Sequence, residues 1–393
     1  MHAPRPIRVM RIIARLNTGG PAIHVTLLTE RLGPPDFENM LVCGHIGPQE
    51  GDMAYLAEER GLRPVYMTEL GRELSPARDT LTLFKLWRLM LEFRPDVVDT
   101  HTAKAGFLGR TAAWLARVPV RIHTFHGHVF RGYFGPRKTR MFLELERFTA
   151  RLSDRLITLS PGLKTELVET YRIAPADRFE VIPLGLDLVP FAETRRRRGE
   201  FRAQFNIPPD VSLVGIVGRI VPVKDHMLFL DMADRLRKTI PNAHFAIVGD
   251  GECRRAVEDR ATALGLRGSV TFSGFLRDLR PVYSDLDVLV LSSRNEGTPV
   301  SVIEALAAGV PVVSTAVGGV PDLLRGGDYG HLVPSGDPDA LVAAVATALT
   351  EPSSQRESIR QAITADHDIS RLVEQMARLY RGLLASKRGN DGL

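Results

Sequence analysis

The sequence predicts an α/β protein made of two doubly wound, Rossmann-like domains facing a central cleft. Three observations support this. Short β-branched runs alternate with helical patterns along the chain, the signature of a parallel sheet covered by helices. The strand runs are continuously apolar rather than alternating, as in strands buried on both faces. The alternation pauses once, near residue 183, and then resumes; 393 residues are enough for two ordinary cores.

Taken in order, "IRVMRIIARL" is the first strand, followed by a glycine pair and a helix over residues 21–32. "ENMLVCG" precedes the helical "GDMAYLAEERG", and "PDVVDTHT" precedes "AGFLGRTAAWLARV". "VRIHTFHG" and "RLITLS" complete a first domain over residues 1–185. The segment "IPLGLDLVPFAETRRRRGEFRAQFNIPPD" holds prolines, turn residues and a four-arginine run, and is the connection into the second domain. The run at residues 195–198 is a solvated helix face, with a nucleic-acid patch as the alternative. In the second domain, residues 186–368, the strands are "VSLVGIVGRI", "AHFAIVGDG", "SVTFSG", "DVLVLSS", "VPVVSTAVGG" and "YGHLVPSGD". Helices "HMLFLDMADRLRKTI" and "CRRAVEDRATALG" lie between the first of them, and "DALVAAVATALT" follows the last. "SRLVEQMARLYRGLLAS" and a frayed tail "KRGNDGL" end the chain. Ligands of such sheets bind beyond the carboxyl ends of the strands, so two such domains place a site in the cleft between them.

Composition narrows the class. Apolar residues are 44% and charged residues 25%, the balance of a soluble globular protein. No apolar run approaches the ~18–20 residues that span a bilayer. Arg11 and Arg15 interrupt the apolar start, which therefore reads as a strand rather than a secretory signal. The two cysteines, Cys43 and Cys253, have no metal-like spacing and form no disulfide framework, so the expected compartment is the cytoplasm. Residues 1–185 hold 26 Lys/Arg against 20 Asp/Glu, and the remainder 25 against 26. The basic first half fits an anionic partner, a phosphorylated substrate or a lipid surface, or else a generally arginine-rich composition.

Four segments have the residue types for chemistry. In "NEGTPVSVIEALAAG", Glu296 lies in a loop and Glu304 inside an apolar helix, with Thr298 as the expected N-cap and Pro299 at the first helical position. Exposed amides at that helix start suit a phosphate. An anionic Glu304 is costly unless hydrogen-bonded, and sugar hydroxyls or a buried basic residue would satisfy it. In "GRIVPVKDH", Arg219 and Lys224 leave a strand end around a bend and suit a pyrophosphate, or are ordinary loop charges. In "LNTGGPAIHV", Gly19 and Gly20 form a side-chain-free turn before a helix, in principle able to accommodate a diphosphate. In "HTFHGHVF", His126 beside Gly127 is the histidine best placed to reach a cleft. No cysteine or carboxylate cluster accompanies His123, His126 and His128, so no metal is expected there.

Together these segments resemble the GT-B retaining glycosyltransferases of family 4 (glycosyl transferases group 1). The segment "NEGTPVSVIEALAAGVPVVSTAVGGVPDLL" is similar to the family's pair of glutamates with seven residues between, and "GRIVPVKDH" and "AIVGDGE" lie in the expected order. The resemblance implies that Glu304 binds the donor ribose and that Glu296 faces the transferred sugar, beside Pro299 and the backbone N–H groups of Gly297, Thr298 and Val300. It implies Arg219 and Lys224 on the donor pyrophosphate, with Gly19 and Gly20 close to it and Gly251 in the donor site. His126 would touch the sugar, and Phe275 and Leu276 the nucleobase. Residues 369–393 would cross back to the first domain. The reaction implied is metal-independent transfer from a nucleotide sugar, UDP preferred over GDP, to a hydroxyl of a glycan or lipid-linked acceptor, retaining the anomeric configuration. It would serve cell-surface polysaccharide or glycolipid synthesis.

Residues 131–155 carry seven basic and three acidic side chains, interleaved with Phe134, Met141, Phe142, Leu143 and Phe148. That pattern fits peripheral contact with an anionic membrane at the inner face of the plasma membrane, or an ordinary helix with a solvated basic face. "HTAKAG", residues 101–106, adds a further basic element near the cleft. Two other classes remain: a GT-B nucleotide-sugar epimerase or hydrolase, and a non-enzymatic basic binder of membrane or nucleic acid. The donor-like constellation argues against the second, and no nucleic-acid partner is expected.

Overall fold

A computed structural model describes residues 5–47, 51–71, 75–127, 130, 135–350 and 353–390. The chain divides into two compact units, Met1–Leu186 with Ile369–Leu393, and Asp187–Asp368. Each is built on one wholly parallel sheet covered by helices, as the uninterrupted apolar runs predict.

The first sheet contains β1 (Ile7–Arg15), β2 (Phe37–Gly44), β3 (Val65–Met67), β4 (Val97–His101), β5 (Val120–Phe125), β6 (Arg155–Thr158) and β7 (Phe179–Val181), in the order β3-β2-β1-β4-β5-β6-β7. Its centre is dry: Met10, Ile12, Ile13, Val97, Val98 and Ile122 are fully buried. The strand order reverses between β1 and β4, the switch point at which α/β sheets leave a crevice beyond their carboxyl ends. Helix Pro76–Phe93, absent from the sequence expectation, covers one face with Thr82, Leu86 and Met90. The final helix Ile369–Asn390 belongs to this unit, and Tyr380 is its fully buried anchor. It runs through residues expected to fray, because Lys387 pairs with Asp154 at 2.6 Å; only residues 391–393 of that tail lie outside the described residues.

The second sheet contains β8 (Ser212–Val217), β9 (Ala243–Val248), β10 (Val270–Gly274), β11 (Val288–Leu291), β12 (Val312–Thr315) and β13 (His331–Val333), in the order β10-β9-β8-β11-β12-β13. Here the switch point lies between β8 and β11. Val214, Ile216, Phe245, Ile247, Val288 and Val290 form the core with Phe229, Leu230 and Met232 of helix His226–Leu236. The arginine run at residues 195–198 does not form an α-helical face. Thr194–Arg197 is a 3-10 turn, and Arg197 pairs with Glu200 at 2.6 Å and Asp278 at 2.5 Å. The side chains of Arg195 and Arg196, like His128 and residues 131–134, lie outside the described residues.

One charged pair sits deep in the first unit. Arg110 on helix Ala103–Leu115 is fully buried and donates to Glu146 on helix Pro136–Leu152 at 2.6 Å. Its Nε also donates to the Gly106 carbonyl at 2.8 Å. Removing one partner leaves an uncompensated buried charge. Glu146→Ala is therefore expected to destabilise the first unit by about 3–5 kcal/mol. In denaturant titrations Arg110→Met with Glu146→Leu should be far milder than the single change.

Candidate active site

At the switch point of the second sheet, the loops after β8 and β11 are fastened to each other. Asp225, at φ 47°, caps helix His226–Leu236 by accepting from the Leu228 amide at 3.4 Å. Arg294, beyond β11, donates to the Asp225 carboxylate at 2.7 Å and, through its amide, to the Val223 carbonyl at 2.8 Å. The Ser292 hydroxyl reaches the carbonyls of Lys224 and Asp225, each at 3.0 Å. This clasp sets Lys224 Nζ 2.5 Å from Glu296 Oε1, which also accepts from Ser293 Oγ at 2.5 Å. Both members are mostly buried, with side-chain exposures of 17% and 9%. Arg219, on the same loop, has no side-chain hydrogen bond or ion pair among the described residues and stays available to an anion.

Glu296 is supported from behind. Gly318 has φ 54°, and a Cβ there would stand 1.8 Å from the Glu296 carbonyl oxygen. The Gly319 amide donates to the carbonyls of Glu296 and Gly297 at 3.3 and 3.1 Å. Gly251 serves a similar close approach, since a Cβ would lie 2.4 Å from the Ile220 carbonyl oxygen. Phe275, 37% exposed, and the partly buried Leu276 follow β10.

The helix with the second glutamate spans Val300–Ala307. Its N-cap is Pro299 rather than Thr298, because Pro299 is itself extended, at φ -73° and ψ 116°, and the helical conformation starts only at Val300. Thr298 Oγ1 is buried with no hydrogen-bond partner among the described residues. The amides of Gly297 and Thr298 likewise have no acceptor among them. Glu304, 8% exposed, meets no cation among the described residues; it accepts from the Tyr283 hydroxyl at 2.8 Å. Burial pushes its carboxyl up to about 7, with the Tyr283 bond pulling the other way. The cost expected for an anionic Glu304 thus shows as a carboxyl that holds its proton up to near neutrality. Tyr283 is raised well above its ordinary value by burial and by Glu304.

The first unit gathers different groups at its own switch point. Gly19, at φ 150°, precedes helix Gly20–Arg31, and its amide donates to Met53 Sδ at 3.3 Å. His126, just past β5, lies 3.0 Å from His101 Nδ1 at the end of β4, and its ring centroid is 4.9 Å from that of His24. Burial, then neighbouring histidines, hold His24 and His126 well below the ordinary imidazole value. His123 instead points into the core, bonded to Thr100 Oγ1 at 2.9 Å. Lys104 pairs with Asp79 at 2.6 Å.

Sequence reasoning missed Tyr283, Ser293, Gly318 and His24, and read His101 only as part of the basic segment 101–106. A histidine on the buried face of an apolar helix and one at a strand's carboxyl end were available signals for the two histidines. No local pattern marks Tyr283.

Two family descriptions match almost end to end: Glycosyltransferase Family 4 over residues 18–189 and Glycosyl transferases group 1 over residues 197–365. The chain belongs to these glycosyltransferases. It is similar to the UDP-Gal:alpha-D-GlcNAc-diphosphoundecaprenol alpha-1,3-galactosyltransferase of Escherichia coli, 28% identical over 91% of this chain and 92% of that protein. The 2-deoxystreptamine N-acetyl-D-glucosaminyltransferase of Streptomyces fradiae is 32% identical over 69% of this chain and 66% of its own. Among solved structures, Anabaena HepE in complex with UDP matches at a TM-score of 0.80 and 19% identity, covering 96% of this chain and all 100% of that one. Sucrose-phosphate synthase from Thermosynechococcus elongatus matches at 0.79 and 23% identity, with coverages of 96% and 100%. The fold of this glycosyltransferase is GT-B.

The raised carboxyl of Glu304 makes stability depend on pH. Protonation favours the folded form, so its contribution is full below the ordinary value of 4.5 and is lost as pH rises through about 7. Against Glu304→Gln, the wild-type protein should lose about 3 kcal/mol of relative stability between pH 4 and 8. Denaturant titrations across that range should show a constant difference if the carboxyl titrates normally.

Proposed function

We propose that this glycosyltransferase moves a sugar from UDP to a hydroxyl of a lipid-linked or glycan acceptor, with retention at the anomeric carbon, in polysaccharide or glycolipid synthesis. The observation that carries the proposal is the Lys224–Glu296 pair, clasped between the loops after β8 and β11 with Arg219 and Glu304 on neighbouring segments. Support for the donor comes from the UDP bound in Anabaena HepE and the UDP-Gal in the name of the Escherichia coli relative. Support for a lipid-linked acceptor comes from the diphosphoundecaprenol in that same name.

In this reading the ribose hydroxyls donate to Glu304, and Phe275 and Leu276 border the base, with Gly251 giving close backbone access. Arg219, Lys224 and the free amides at Gly297 and Thr298 stabilise charge on the leaving diphosphate. Lys224 is already held by Glu296, so little side-chain entropy is lost when the diphosphate engages it. The bond from the anomeric carbon to the phosphate oxygen breaks, and the acceptor oxygen bonds to that carbon on the same face. Its proton passes to the leaving phosphate oxygen. Glu296 and His126 contact the transferred sugar, and Gly19 and Gly20 leave room for the diphosphate. No metal takes part.

Peripheral membrane contact belongs to the same proposal. Among the described residues no helix is long and apolar enough to cross a membrane. Helix Pro136–Leu152 exposes Met141 and Phe148, at 44% and 50%, beside Arg137, Lys138 and Arg140. That face suits an anionic leaflet on the cytoplasmic side.

UDP at about a hundred times its Kd should stabilise the protein by about 2.7 kcal/mol in a thermal-shift assay, with GDP and ADP far weaker. No shift with any nucleotide would sink the proposal. Lys224→Ala should lower kcat about 100-fold or more with the detected donor, and unchanged turnover refutes its role. Equal flotation with neutral and anionic liposomes would remove the membrane contact.

A further inference from the structure

Three imidazoles face one another at the carboxyl end of the first sheet. His24 comes from helix Gly20–Arg31, His101 from the end of β4 and His126 from the loop after β5. One ring nitrogen of each lies within 4.8 Å of those of the other two, and His101 Nδ1 and His126 Nε2 share a hydrogen bond of 3.0 Å. The His24 ring meets both others edge to face.

His24 is 1% exposed, yet neither of its ring nitrogens has a hydrogen-bond partner among the described residues. A buried imidazole in that state is costly unless something takes up a nitrogen. The far nitrogen of His101, Nε2, makes no hydrogen bond among the described residues but lies 3.5 Å from the Asp99 carboxylate, close enough to donate to it after a small ring turn; that carboxylate is held by the Tyr380 hydroxyl at 2.7 Å. A carboxylate behind an imidazole is the arrangement that orients metal-binding histidines.

We propose that His24, His101 and His126 bind a divalent transition metal, zinc or cobalt, with a fourth coordination position open. Imidazole ligands suit such ions, and hard cations prefer oxygen. With metal–nitrogen bonds of about 2.0–2.1 Å, tetrahedral ligand nitrogens lie about 3.3 Å apart. The hydrogen-bonded His101–His126 pair is already near that spacing, the ion would take the place of the proton the two rings share, and the His24 nitrogen, within 4.8 Å of both, would have to close on it. The histidines first considered in "HTFHGHVF" are a different set: His123 is turned into the core, and the partners of His126 come from remote segments. The transfer reaction proposed above uses no metal. If that reading holds, on which this consequence rests, a bound ion occupies His126 and inhibits transfer.

The test uses the untagged full chain, stripped with EDTA and dialysed. One equivalent of Co²⁺ should give the intense visible bands of four-coordinate cobalt, displaced by Zn²⁺, with one zinc per chain retained through gel filtration. His24→Gln and His101→Gln should each lose the bands. Asp99→Asn should weaken binding about 10- to 100-fold. His244→Gln, altering a histidine of the second unit bonded to Thr271, should leave binding unchanged. A stoichiometric site that survives both His24→Gln and His101→Gln overturns the proposal, as does the absence of metal binding by the wild-type chain. The UDP shift, measured on the same samples, reports on the donor reading separately: cobalt bands without a nucleotide shift leave this site standing and remove the other.

Discussion

The second unit depends on one constraint: the loops leaving β8 and β11 must satisfy each other's backbone groups at the point where the sheet reverses its order. Helices cannot cover a switch point, so the chain ends there meet water or one another. Ser292 and Arg294 supply the mutual partners, bridging to the carbonyls and carboxylate of residues 223–225. Asp225 does two jobs, capping its helix and accepting from Arg294. With both loops tied, Lys224 and Glu296 need no large rearrangement to stay paired, and Gly318 lets a third strand end press against the Glu296 carbonyl.

Buried polar groups show where packing alone is an inadequate account of the structure. Glu304 sits among side chains that hold its helix on the sheet, with one tyrosine hydroxyl as its partner. A carboxyl in that setting gives up charge easily, and hydroxyl donors would restore it. In the first unit the same pressure falls on histidines. His24 packs on the buried face of an apolar helix with no partner for its nitrogens among the described residues, while Asp99 gathers Tyr380 and the edge of His101. Groups whose burial is uncompensated by the chain itself point to ligands.

The parallel sheets were legible because strands buried on both faces must be apolar throughout, whatever surrounds them. The glutamate pair and the Arg219–Lys224 loop were legible because each is a short local pattern at a strand's end. Thr298 was misplaced as a cap because Pro299 stays extended instead of taking the first helical position, so the helix starts one residue later than the local pattern implies. Tyr283 lies 21 residues from Glu304 and reaches it from another helix, so no local pattern links them. His24, His101 and His126 likewise come from three segments.

By itself, then, the sequence determined the α/β class, the family, and which local segments carry carboxylates, cations and glycines. Periodicity and short motifs are local properties, and the chain carries them without folding. Only the tertiary structure decided that Glu304 is held by a tyrosine, that Lys224 is already paired, and which histidines face one another. Those facts depend on which strand ends lie side by side, and adjacency in a doubly wound sheet follows the crossover order of the strands, not their order along the chain.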